Sequence, residues 1–202
     1  MTCVVAATGN PRKLAEMRSI LAGLDIDLVA MPHDVVPGVE TAKTFEGNAL
    51  LKARAVAEQT GLPAIADDSG LEVDALGGEP GVRSARYAGA DGPREVVDTA
   101  NNALLVERLR GVVDRTARFV AVVAFVTPDG REWTARGTME GTIIDEPRGA
   151  NGFGYDPHFV SDGETRTSAE LDSDEKNARS HRGAALRALR PHVEAWMAGD
   201  GG

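Results

Sequence analysis

From Cys3 to Ala66 the chain alternates short apolar runs with apolar residues at helical spacing, and this alternation constrains the fold more than any other feature. Cys3 to Ala7 reads as a buried strand, after which Leu14, Met17, Leu21 and Leu24 recur along one helical face. Asp27 to Met31 and Pro63 to Ala66 read as further strands, separated by a helix on which Phe45, Ala49, Ala53 and Val56 share a face. Strand and helix in this order predict parallel pairing through helical crossovers. After a helix around Pro93 to Arg110 the pattern changes. Arg118 to Val126 and Arg131 to Ile144 are extended and joined across Thr127-Pro128-Asp129-Gly130, which predicts an antiparallel pair. A last helix carries Leu186, Leu189, Val193 and Trp196 as an apolar stripe. The expected fold is α/β, a mixed central sheet with flanking helices. With no internal repeat or linker, the 202 residues read as a single domain over 1–198 followed by a glycine-rich tail, 199–202.

Charge narrows the partners. A net charge of −9 argues against nucleic acid or an anionic membrane surface, so a polyanionic ligand has to be met by a local cation cluster or a metal. The longest apolar run, Phe119 to Val126, is far short of the roughly 20 residues of a membrane helix, and the N-terminus carries no secretory signal. Cys3 is the only cysteine, which excludes an intrachain disulfide and fits a reducing cytoplasm.

Four segments carry possible chemistry. Thr8-Gly9-Asn10-Pro11-Arg12-Lys13 leaves the first strand, turns, caps with Asn10 and enters a helix with Pro11 at its first position. That helix has cations where acids usually complement the dipole, so a capped helix start and an anion cradle both fit. It is neither a Walker A loop nor a G-x-G-x-x-G turn. Ala66-Asp67-Asp68-Ser69-Gly70 stands where the third strand is expected to end, at the ligand-binding edge of an open sheet, and its two carboxylates suit either a hard metal or a solvated turn. Glu40 and Glu46 are candidates to complete a magnesium shell, with Lys52 later on the same helix. Asn151-Gly152-Phe153-Gly154-Tyr155-Asp156-Pro157 lets backbone approach a planar ligand and offers Phe153 for stacking, although a core aromatic in a tight turn gives the same pattern. Lys176-Asn177-Ala178-Arg179-Ser180-His181-Arg182-Gly183 places cations and a histidine before the last helix. Zinc-ligand spacing and a G-x-S-x-G elbow are both missing.

Together these segments describe a nucleoside triphosphate site, and here the sequence resembles the inosine triphosphate pyrophosphatase family. The resemblance runs from about Val4 to Leu189. It is carried by Thr8 to Lys13, Thr44-Phe45-Glu46-Gly47-Asn48-Ala49, Ala66 to Leu71, Pro80-Gly81-Val82-Arg83-Ser84-Ala85-Arg86-Tyr87, Gly152 to Pro157 and Ser180-His181-Arg182-Gly183, all in family order. It implies Mg²⁺-dependent hydrolysis of ITP, dITP and XTP to the monophosphate and pyrophosphate. It further implies a cytoplasmic homodimer and two lobes around an active-site cleft.

By that resemblance, Thr8, Gly9, Asn10, Pro11, Arg12, Lys13, Ser69 and Lys176 hold phosphates and Lys52 adds positive charge. Asp68 is proton acceptor and metal ligand with Glu40, while Phe153, Gly154, Tyr155, Asp156, His181 and Arg182 contain the base. Relatives commonly carry an acid where this chain has Gly47, which leaves Glu40 and Glu46 as alternatives for the second metal ligand. Arg182, oriented by Asp156, or His181 is expected to donate to the 6-oxo group that distinguishes these bases from adenine. The rival readings are a Maf-like nucleotide pyrophosphatase of other base preference and a nucleotide-binding module without catalysis.

Overall fold

The computed structural model describes residues 1–199, so 200–202 of the expected tail lie outside the described residues. Its strands are β1 (Thr2–Ala6), β2 (Ile26–Ala30), β3 (Ala64–Val73), β4 (Thr116–Val126), β5 (Glu132–Ile143) and β6 (Phe159–Ser161). They form one sheet in the order β2-β1-β3-β4-β5-β6. β1 pairs in parallel with β2, Thr2 opposite Ile26 through Ala6 opposite Ala30, and in parallel with β3 at Val5 and Ala64. β5 pairs antiparallel with β6, Gly141 opposite Ser161. The sheet is therefore mixed. The helices are α1 (Pro11–Ile20), α2 (Phe45–Thr60), α3 (Arg94–Arg108), α4 (Ser173–Arg179) and α5 (His181–Met197).

The chain divides into two compact units. The first comprises Met1–Asp68, Ala121–Gly137 and His181–Gly202. Its core joins Val4 and Ala6 of β1, Met17 of α1, Ile65 of β3, Phe125 of β4 and Leu186, Leu189 and Val193 of α5. Phe125 packs on Trp133 and Trp196 at ring separations of 5.6 and 5.2 Å. The predicted stripe of α5 is thus a core face. In α1 the helix stops at Ile20, because the chain turns there, and Leu24 packs on the core from the following turn.

The second unit comprises Ser69–Val120 and Thr138–Ser180. Its core joins Leu71 and Val73 of β3, Leu105 and Leu109 in and beyond α3, Phe119 of β4, Ile143 of β5 and Phe159 of β6.

Three elements depart from expectation. β3 does not end at Ala66 but continues to Val73, because Asp67 and Asp68 find buried partners and Leu71 and Val73 are wholly buried. β6 is too short to show a period. α4 runs for only seven residues and is stabilised by a capping box between Asp172 and Glu175, so Lys176 sits on this helix rather than at the start of the last one. Among the described residues no helix is long and apolar enough to cross a membrane.

Candidate active site

In the first unit, the segment after β1 has the predicted form. Thr8 Oγ1 accepts the Asn10 amide at 3.1 Å, and Asn10 Oδ1 accepts the Arg12 amide at 3.0 Å. Pro11 opens α1, whose first turn holds no acid. Gly9, Pro11 and Arg12 are exposed and Thr8 and Asn10 half-buried, so the positive end of the helix dipole is open to a ligand.

Successive strand residues face opposite sides, and Asp67 and Asp68 accordingly have different partners. Asp67 meets Lys13 at 2.9 Å and Arg182 Nε at 2.9 Å. Arg182 also pairs with Glu16 of α1. Burial raises the Asp67 carboxyl, but Lys13 and Arg182 outweigh it and hold the group far below the usual carboxylate range. Burial also pushes the Lys13 ammonium down despite Asp67. Asp67 thus balances two cations, the half-buried Lys13 and the buried Arg182.

Asp68 has the other surroundings. Asn48 Nδ2 donates to its Oδ2 at 3.0 Å, and the Lys52 ammonium lies 3.4 Å from its Oδ1 and 2.7 Å from Glu40 Oε1. Burial raises the Asp68 carboxyl, against the pull of Lys52 and Asn48. Lys52 itself is raised, since burial is outweighed by Asp68, Asp67 and Glu40. Glu46 instead accepts the Thr134 hydroxyl at 2.8 Å. Of the two alternatives, Glu40 is therefore the carboxylate that converges with Asp68.

Magnesium has to be tested against this donor set. Among the described residues no group of three or more His, Cys, Asp or Glu side chains gathers as a metal cage. Mg²⁺ needs none, because it keeps waters and takes one or two carboxylates with substrate phosphates. Glu40 and Asp68 already share one cation, the Lys52 ammonium, and so fit that pattern. Gly47 has a local cause: a Cβ there would lie 2.6 Å from the Ala42 Cβ, in the loop that leads from Glu40.

In the second unit, Asp156 Oδ2 accepts the Phe153 amide at 2.8 Å and the Lys176 ammonium at 2.5 Å. Gly152 has φ +76, and a Cβ there would overlap that carboxylate. Lys176 Nζ lies 5.1 Å from the Phe153 ring centroid and Arg94 5.4 Å from it. The Tyr155 side chain is buried in the core and its hydroxyl donates to the Ser84 carbonyl at 2.9 Å. Ser69 is half-buried in β3.

His181 and Arg182 belong to the first unit, in the first turn of α5, and both are buried. Sequence reading assigned Asp156 to Arg182, whereas the structure gives Asp156 to Lys176 and Arg182 to Asp67 and Glu16. Only chain topology brings residue 182 to residue 67. Asn48 was also missed as a site residue. It is fully buried, and its Oδ1 accepts the Ala42 amide at 2.9 Å while its Nδ2 serves Asp68. A buried Asn inside a helix was the available signal.

A profile of the Ham1 family matches residues 4–192. This chain belongs to the Ham1 family. It is 56% identical over 191 residues to a dITP/XTP pyrophosphatase of Frankia alni, covering 92% of this chain and 94% of the relative. A dITP/XTP pyrophosphatase of Deinococcus deserti is 53% identical, with 93% and 87% covered. Among solved structures, a HAM1 protein from Coxiella burnetii superposes with a TM-score of 0.87 at 44% identity, over 96% of this chain and 99% of that one. A nucleoside-triphosphatase / dITP/XTP pyrophosphatase from Mycobacterium abscessus gives 0.75 at 47% identity, over 94% and 100%. The Ham1 fold agrees with the mixed α/β architecture.

Proposed function

We propose that this Ham1-family chain is a nucleoside triphosphate pyrophosphatase that hydrolyses dITP, XTP and ITP to the monophosphate and pyrophosphate, with Mg²⁺ as cofactor. The observation that carries the reading is the convergence of Asp68 and Glu40 on the Lys52 ammonium. The names of the similar proteins support the substrate class.

A triphosphate brings about four negative charges, which a chain of net charge −9 must meet locally. The exposed start of α1, with Arg12 and Lys13, supplies donors for phosphate oxygens. Glu40 and Asp68 would hold Mg²⁺, which supplies Lewis-acid neutralisation of the phosphates when bound. Asp68 accepts the proton of the attacking water, a role favoured by burial, which raises its affinity for a proton. Lys52 then neutralises charge near the reacting phosphorus. In the second unit, Phe153 offers a stacking face and Asp156 an acceptor to the base edge. Lys176, which the resemblance gives to the phosphates, is assigned instead to the base edge because it lies beside Asp156 and the Phe153 ring. The same reading includes a homodimer, for which sedimentation would return twice the chain mass.

Incubation with a nucleotide panel and Mg²⁺, followed by chromatography, tests the assignment. Monophosphate and pyrophosphate from dITP and XTP, with dATP and dTTP largely spared, is the expected result. A diphosphate with orthophosphate as first products, or a preference for pyrimidines, overturns it.

A further inference from the structure

Helix α3 has no part in the chemistry described so far, yet it fastens the loop that carries Phe153. The Asp98 Oδ2 accepts the Gly154 amide at 2.9 Å, and the Asn102 Nδ2 donates to the Gly154 carbonyl at 2.8 Å. Residues 98 and 102 are one helical turn apart and share a face, so a single helix edge grips Gly154 through both its amide and its carbonyl. Gly154 has φ +64, a conformation that other residues adopt only with strain. The second oxygen of Asp98, Oδ1, accepts Arg94 Nε at 3.0 Å, and the Arg94 guanidinium faces the Phe153 ring.

One carboxylate therefore controls two things at once, the backbone that follows the ring and a cation against the ring. Asp156 has the same double use on the other side of Phe153, holding the Phe153 amide and Lys176. α3 is a stiff support because Leu105 and Leu109, at and beyond its end, are wholly buried. Stacking and edge contacts depend on small displacements of a ring, and a loop pinned at both sides keeps that ring in place without a cost in ordering on binding.

We infer that Asp98 is a positioning and specificity-determining residue for the purine base, acting through Gly154 and Arg94 on Phe153. The inference rests on the reading of Phe153 as a base-stacking residue. Asp98→Ala removes both contacts, Asp98→Asn keeps an acceptor for the Gly154 amide, and Arg94→Ala removes the cation alone.

The test measures kcat and KM for dITP and dATP, together with calorimetric binding of a non-hydrolysable dITP analogue, in wild type and the three variants. Asp98→Ala should raise KM and Kd for dITP about tenfold, as expected for losing one to two hydrogen bonds, with kcat within about twofold. Its dITP/dATP selectivity should fall, Asp98→Asn should recover part of the loss, and Arg94→Ala should show the remainder. Unchanged KM and selectivity in Asp98→Ala, or a fall in kcat shared equally by all nucleotides, overturns the inference while leaving the proposed activity standing. If Asp98→Ala does not fold, Asp98→Asn and Arg94→Ala decide by the same measurements. Wild type that neither binds the analogue nor cleaves dITP overturns both.

Discussion

Asn48 and Asp68 are joined by a buried hydrogen bond of 3.0 Å, the amide of one donating to the carboxylate of the other. Through its other end Asn48 accepts the Ala42 amide, so the loop next to Glu40 and the carboxylate of Asp68 are set by one side chain. Asn48→Ala strands both partners. It should cost about 1 to 3 kcal/mol of stability and raise the Mg²⁺ concentration needed for half-maximal activity. Urea unfolding and a metal titration of turnover check this, and an unaltered metal requirement would limit Asn48 to a structural role.

Asp68→Asn keeps the size of the side chain and removes its charge. If Asp68 accepts the proton, kcat should fall by about 100-fold or more at saturating substrate and Mg²⁺, with nucleotide binding partly retained. Retention of more than about a tenth of wild-type turnover would exclude that role.

Asp67 and Arg182 stand at 2.9 Å with side chains almost wholly buried. Removing either leaves the other with one counterion, Lys13 for Asp67 and Glu16 for Arg182, so Asp67→Asn and Arg182→Ala should each cost about 1 to 3 kcal/mol. The double variant should be more stable than the sum of the two losses predicts, because the partners are removed together. Additive losses in denaturant unfolding would mean that the pair contributes nothing through mutual interaction.

Gly152→Ala places a Cβ where the Asp156 carboxylate stands, at a φ of +76. The Asp156–Lys176 pair has to open, and the left-handed backbone adds roughly 1 to 3 kcal/mol of strain. Expected is a raised KM for dITP with kcat much less affected, measured by steady-state kinetics. An unchanged KM would show that this ion pair does not bear on the base.

Much of the fold was legible because periodicity reports directly which face is buried. The apolar spacing of α2 and α5 and the cap at Asn10 are local features, and each appears where local rules put it. Asp67-Asp68-Ser69-Gly70 misled for the converse reason. Its composition favours a turn, and only long-range partners, Lys13 and Arg182 for one carboxylate and Asn48 and Lys52 for the other, make a strand of it. The grip of Asp98 and Asn102 on Gly154 spans more than 50 residues, and no spacing rule relates them.

The sequence by itself determined the α/β class, the open helix start after β1 and the cations and carboxylates on which the proposed triphosphate site draws, since these follow from short-range sterics, capping and charge. Tertiary structure decided which charges meet. Arg182 is 115 positions from Asp67 yet bonded to it, and Glu40 rather than Glu46 converges with Asp68. Burial raises both neighbouring carboxylates, but Lys13 and Arg182 overcome it at Asp67 and hold that group down, whereas at Asp68 burial prevails and the group is raised. Coulomb energies depend on distance and desolvation in space, and neither is written in the order of residues along the chain.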